Sequence, residues 1–141
     1  MVARMKLCAS LRALSFVSIL ATTACGTTFP MTPDASVPFA QGEVDGSFED
    51  NGNGSFTIKI NHLGEPAKIS GGATVYVVWV KPKKEGSAPQ NMGAIKPDAD
   101  QQGELLFSTT FREFEVFVTP ETAADALKPE GRVLLRAEIS G

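Results

Sequence analysis

Two short tracts concentrate the oxygen ligands of this chain. Asp98, Asp100 and Gly103 spell D-x-D-x-x-G, the opening of a calcium loop. Such a loop needs acidic oxygens early, a glycine for the bend and a bidentate Glu at its twelfth position. Here the fifth position is Gln102 and the twelfth is Thr109, so the closing ligand is missing. The same residues suit a hairpin turn, in which Asp accepts backbone hydrogen bonds and Gly permits the bend. Asp50, Asn51 and Asn53, next to Glu49, form the second tract. They read as a turn, or as a weak ion- or ligand-binding loop. His62 is the only histidine. Zinc requires three or four His, Cys or carboxylate ligands, and no G-x-S-x-G elbow offers a serine nucleophile. His62 is therefore expected to end a strand on the surface. With no catalytic or metal-binding motif, the chain is expected to be no enzyme and to use no cofactor.

One reactive group remains. Cys25 closes the first apolar run, LRALSFVSILATTACG. Arg4, Lys6 and Arg12 precede a short apolar stretch from Leu14 to Ala21, and the small residues Thr22, Thr23 and Ala24 follow. That order is a secretory leader, expected to be helical over residues 1–24. The run is too short for a bilayer span, which needs roughly 20 apolar residues. The small-small-Cys ending resembles the bacterial lipoprotein box, although Thr22 stands where that box usually carries Leu. The resemblance implies a diacylglycerol on the Cys25 sulfur and a mature chain starting there. Ordinary cleavage after Ala24 is the alternative. It would leave one unpaired thiol in an oxidising compartment, a liability that acylation removes. Gly26 is not the Asp that retains such proteins on an inner membrane, so the resemblance points to the outer membrane, facing the periplasm.

The formal charge of the chain is -3, and loss of the three cations in residues 1–24 makes it -6. An acidic surface argues against nucleic acid and against purely electrostatic adsorption to anionic lipid. Attachment to a membrane must then come from the lipid itself. Residues 27–41, TTFPMTPDASVPFAQ, hold three prolines and no periodic pattern. With Cys25 they are expected to form a flexible, disordered tether over 25–41, reaching at most about 50 Å. Residues 42–141 remain for one folded domain without a cysteine.

From Gly42 onward apolar and polar residues alternate between Gly, Pro, Asn and Asp breaks, a strand-and-turn pattern. Strands are expected at Val44–Asp50, Ser55–Asn61, Ala73–Lys81, Asn91–Lys96, Glu104–Thr109, Glu113–Thr119 and Arg132–Ile139. In the second, Phe56, Ile58 and Ile60 share one face, opposite Thr57, Lys59 and Asn61. The third, ATVYVVWVK, is apolar on both faces, which places it centrally or under a second cover. Tyr76 and Trp79 within it would be a carbohydrate platform if exposed, and core if not. Lys81, Lys83 and Lys84 make a basic patch around Pro82. It suits lipid headgroups, a polyanion or an acidic partner, or simply a solvated loop that blunts a sheet edge. The fifth and sixth strands are expected to pair with each other. Glu121–Leu127 is read as one helical turn. Seven strands in about 100 residues predict an all-β, antiparallel sandwich of immunoglobulin-like type, with a barrel as the alternative.

The stretch from Thr74 to Val133 resembles the extracytoplasmic domain of anti-sigma-K-type factors. The matching features are VYVVWV, then Met92-Gly93-Ala94, then PDADQQGELLF, then FEVFVTPE. The resemblance implies a β-sandwich that serves as a regulatory or sensing platform, with no shared active-site residues. Those factors also carry a cytoplasmic sigma-binding domain and a membrane-spanning helix, for which the chain has no room before its leader. The outer domain alone, mounted on lipid, is the expectation. Its function would be to present a surface to another envelope protein, as a non-catalytic lipoprotein. The alternative is an ion- or small-ligand-sensing module using the loops at Asp50–Gly54 and Asp98–Gly103.

Overall fold

Alternating side chains can bury one face only if a second sheet covers them, and the chain builds two such sheets. The computed structural model describes residues 26–141. Its strands are β1 (Thr27–Pro30), β2 (Thr32–Pro33), β3 (Gln41–Phe48), β4 (Gly54–Asn61), β5 (Val75–Pro82), β6 (Gln90–Ile95), β7 (Gly103–Thr109), β8 (Glu113–Glu121) and β9 (Leu135–Ser140). One sheet has the order β1-β3-β4-β7 and the other β2-β9-β8-β5-β6. All pairings are antiparallel. The β-sandwich expected from periodicity is thus the observed fold, and each of the seven expected strands lies within a few residues of an observed one, from β3 to β9.

Val44, Phe56, Ile58 and Ile60 from the first sheet meet Tyr76, Val78, Val80, Phe114, Val116 and Leu135 from the second. Phe56 packs its ring 5.5 Å from both Phe107 and Phe114, which joins the two layers. Edge-to-face and stacked contacts of this kind add to the area the rings remove from water.

The tether expectation is overturned. Residues 27–33 are paired into both sheets: Thr27 lies opposite Gly46 and Pro30 opposite Glu43, while Thr32 lies opposite Arg136. The chain crosses between the sheets at Met31, which is buried, as are Val37 and Ala40. Pro30 and Pro33 fit because β1 and β2 are edge strands, where a missing N–H breaks no ladder. On the outer face Thr28 Oγ1 donates to Asp45 at 2.6 Å, and Lys59 Nζ reaches the same carboxylate at 3.0 Å. The Thr28 hydroxyl first, and Lys59 second, hold the Asp45 carboxyl below its ordinary range.

Two further expectations need correction. β7 and β8 are not a hairpin: β7 pairs with β4, while β8 pairs with β5 and β9. Residues 110–112 arch from one sheet to the other. Residues 121–127 form no helical turn. The one helix among the described residues is α1 (Pro66–Ile69), opened by a proline at its first turn.

If residues 27–33 are structural, Met31→Ala should cost about 2 kcal/mol, in the range for a buried Met truncated to Ala. Urea denaturation measures this. A residue in a flexible tether would change stability by no more than about 0.5 kcal/mol.

Candidate functional site

The strand registers assign each loop to one end of the sandwich. Gly54 lies opposite Thr109, and Ile60 lies opposite Gly103. The turn at residues 49–53 and the turn at 96–102 therefore sit at opposite ends of the β4–β7 ladder, about 20 Å apart at the rise of an antiparallel strand. The tracts holding Asp50, Asn51 and Asn53, and Asp98 and Asp100, do not converge on one site.

Within each tract the leading side chain closes a turn. Asp98 Oδ1 accepts the backbone N–H groups of Asp100, at 2.9 Å, and Gln102, at 3.0 Å. Asn51 Oδ1 accepts the N–H of Asn53 at 2.9 Å, and Glu49 accepts from Asn51 and Ser55. These are side chains closing turns, as Asx geometry requires. Among the described residues no group of three His, Cys, Asp or Glu is placed to hold a metal ion. His62 is exposed immediately after β4, with a φ of 58°, so it ends a strand on the surface as expected. Cys25 lies outside the described residues. Gly26, its neighbour, leads directly into β1.

Tyr76 and Trp79 are fully buried, so neither forms an exposed sugar platform. They occupy opposite faces of β5. Tyr76 enters the main core, and its hydroxyl donates to the Gly64 carbonyl. Burial pushes its phenol up to about 12. Trp79 sits on the outer face, in a second small cluster with Val77 and Phe117. Residues 122–133 cross this face as a strap, which packs Ala126 and Val133 against the cluster.

The strap is held by polar groups that sequence patterning did not single out. Trp79 Nε1 donates to Thr119 Oγ1 at 2.8 Å, and that hydroxyl donates to Glu121 Oε1 at 2.6 Å. The same carboxylate oxygen accepts the backbone N–H groups of Glu130 and Gly131 at 2.9 and 3.1 Å. On the far side of the strap, Asn91 Nδ2 donates to the carbonyls of Ala124 and Ala126, both at 2.9 Å. Glu121 is buried, yet its oxygen has three donors, which offsets the loss of water.

Lys81, Lys83 and Lys84 are exposed, and Lys83 Nζ lies 3.4 Å from the Glu138 carboxylate. Their loop is at the same end as residue 26, because Pro82 pairs with Phe114 next to the arch at 110–112. The arch adds Phe111 and Arg112 to this end, neither of which carries a motif in the sequence. No helix among the described residues is long and apolar enough to cross a membrane. In comparisons with known proteins, no protein-family model matches the chain and no curated protein matches it.

Two tests follow from the buried polar groups. Tyr76 has a folded pKa raised above its unfolded value of about 10. Its contribution should be complete below pH 10 and fall away as the pH rises toward 12. Denaturation midpoints across that range should decline in the parent and stay flatter in Tyr76→Phe. Separately, Glu121→Ala should destabilise the fold by about 2–3 kcal/mol, since it strands a hydroxyl and two N–H groups. Glu121→Gln keeps an acceptor and should cost less. Trp79 fluorescence should shift to the red in the alanine variant as the strap loosens.

Proposed function

We propose that the chain is a non-catalytic lipoprotein of the bacterial cell envelope. Cys25 carries the lipid, and the β-sandwich is an interaction domain presented to another envelope protein. The observation that supports this most is the position of Cys25. It follows a basic, apolar and small-residue leader, and one residue, Gly26, separates it from β1. The other cysteine of the sequence, Cys8, falls within that leader. The likeness of residues 74–133 to the outer domain of anti-sigma-K-type factors points the same way, toward a platform rather than a catalyst. By the same resemblance to the lipoprotein box, Gly26 favours the outer membrane over the inner, with the domain in the periplasm.

No specific observation favours the alternative of an ion-sensing module. The Asp98 oxygen that would lead a calcium loop already closes a turn, and the twelfth position is Thr109, which cannot chelate.

Under this reading, Cys25→Ser should release the protein from membranes or block its processing. Cell fractionation with intact-mass analysis reads the outcome. A Cys25→Ser protein that still sediments with membranes, or a native protein with no acyl mass at that residue, would remove the anchor assignment.

A further inference from the structure

The sandwich end that carries residue 26 holds a groove of about 700 Å³ between the β5–β6 loop and the arch at 110–112. Pro82, Ala88, Pro89 and Phe111 give it an apolar wall. Lys83, Lys84 and Arg112 line it with Glu113, and the adjoining recess that shares both lysines adds Glu85, Glu115 and Glu138. Lys83 is partly satisfied by Glu138 at 3.4 Å. Lys84 and Arg112 form no ion pair among the described residues. Arg112 lies over the Phe48 ring, 5.1 Å from its centroid. Phe48 ends β3, the strand whose Gly46 faces Thr27. The groove therefore shares the end of the sandwich from which the chain leaves toward Cys25, on the side of β6 and β7.

We propose that this groove is the surface that meets the bilayer, with Lys84 and Arg112 on phospholipid phosphates and the apolar wall at the headgroup boundary. The proposal rests on acylation of Cys25. Three observations carry it. Residues 27–33 are folded, so an acyl chain at residue 25 leaves the domain almost no reach from the membrane. The end so held presents the cations just named, on a chain whose formal charge without its leader is -6. The groove joins those cations to exposed apolar surface, the combination that suits a headgroup layer. Each cation near an anionic leaflet contributes about a five-fold preference, too little to recruit an acidic protein from solution. Once a lipid holds the chain, contact becomes intramolecular and such small terms set orientation.

The test uses the native lipidated protein in vesicles of phosphatidylglycerol and phosphatidylcholine. A membrane-impermeant amine-acylating reagent is applied, and mass spectrometry gives the labelling of Lys84 relative to Lys128 on the strap. The reference is the same protein in a nonionic, phosphate-free detergent. The ratio is expected to fall about five-fold or more in vesicles, and to fall further as the phosphatidylglycerol fraction rises. An unchanged ratio overturns the proposal. Equal protection in detergent by inorganic phosphate alone also overturns it, assigning the groove to a soluble anion. Should intact mass show no acyl group, the anchor reading fails on its own terms. The free Cys25 thiol is then coupled to a maleimide phospholipid in the same vesicles, and the Lys84 ratio still decides whether the groove faces lipid.

Discussion

Five consecutive residues of β5, Tyr76 to Val80, are removed from water on both faces of their sheet. A strand of this kind cannot sit in a simple two-layer sandwich, whose outer faces are wet. The fold meets the constraint by adding a third partial layer, the strap at 122–133. That layer brings its own demand, because the indole N–H of Trp79 is then out of reach of solvent. Thr119 and Glu121, on the neighbouring strand β8, supply the acceptors. The Glu121 carboxylate in turn receives the backbone of the strap. Apolar packing and hydrogen bonding are thus coupled: the strap covers Trp79 only where Glu121 holds it, and Glu121 is tolerated in the interior only while the strap donates to it.

A second constraint acts at the lateral edge. Edge strands expose unpaired backbone groups and invite pairing with other chains. β1 and β2 cover one edge of each sheet with a single segment that changes sheets at Met31. The two prolines that end these strands have no N–H to offer a further strand. The same segment that looks like a spacer in composition therefore seals the sandwich. It also removes the reach a spacer would give. Anchored at residue 25, the domain would stand on the end that holds the 49–53 turn, the lysine loop and the arch.

Much of this was legible in the residues, and the failures have physical causes. Period-two alternation in Phe56, Ile58 and Ile60 placed β4, and the doubly apolar run from Tyr76 to Val80 announced a strand covered on both sides. Residues 27–41 were misread because proline and short length mask alternation, although Phe29 and Met31 do point to one side. The β7–β8 connection was misread for a different reason. Leu105, Phe107 and Thr109 alternate just as Phe114, Val116 and Val118 do, and both sets face the same core. A three-residue link satisfies either a hairpin in one sheet or an arch between two, and periodicity carries no information on which sheet a strand joins. Glu121 gave no signal at all, since two of its donors are backbone groups nine and ten residues away.

The candidate site was less legible than the fold because its chemistry lies in position rather than in side-chain type. The conspicuous carboxylates, Glu49 and Asp98, spend their oxygens closing turns within their own loops. The groups left available are ordinary: Lys84 and Arg112 at one end, with exposed Phe39 and Ile69 at the other. None has meaning until the registers assign it to an end, and the ends are equivalent until one of them is tied to a membrane. A lipid at residue 25 would break that equivalence. It would turn one set of loops toward headgroups and hold the other set, about 25 Å of strand away, toward whatever shares the compartment. A domain can acquire a function in this way, through the direction in which its surfaces are held.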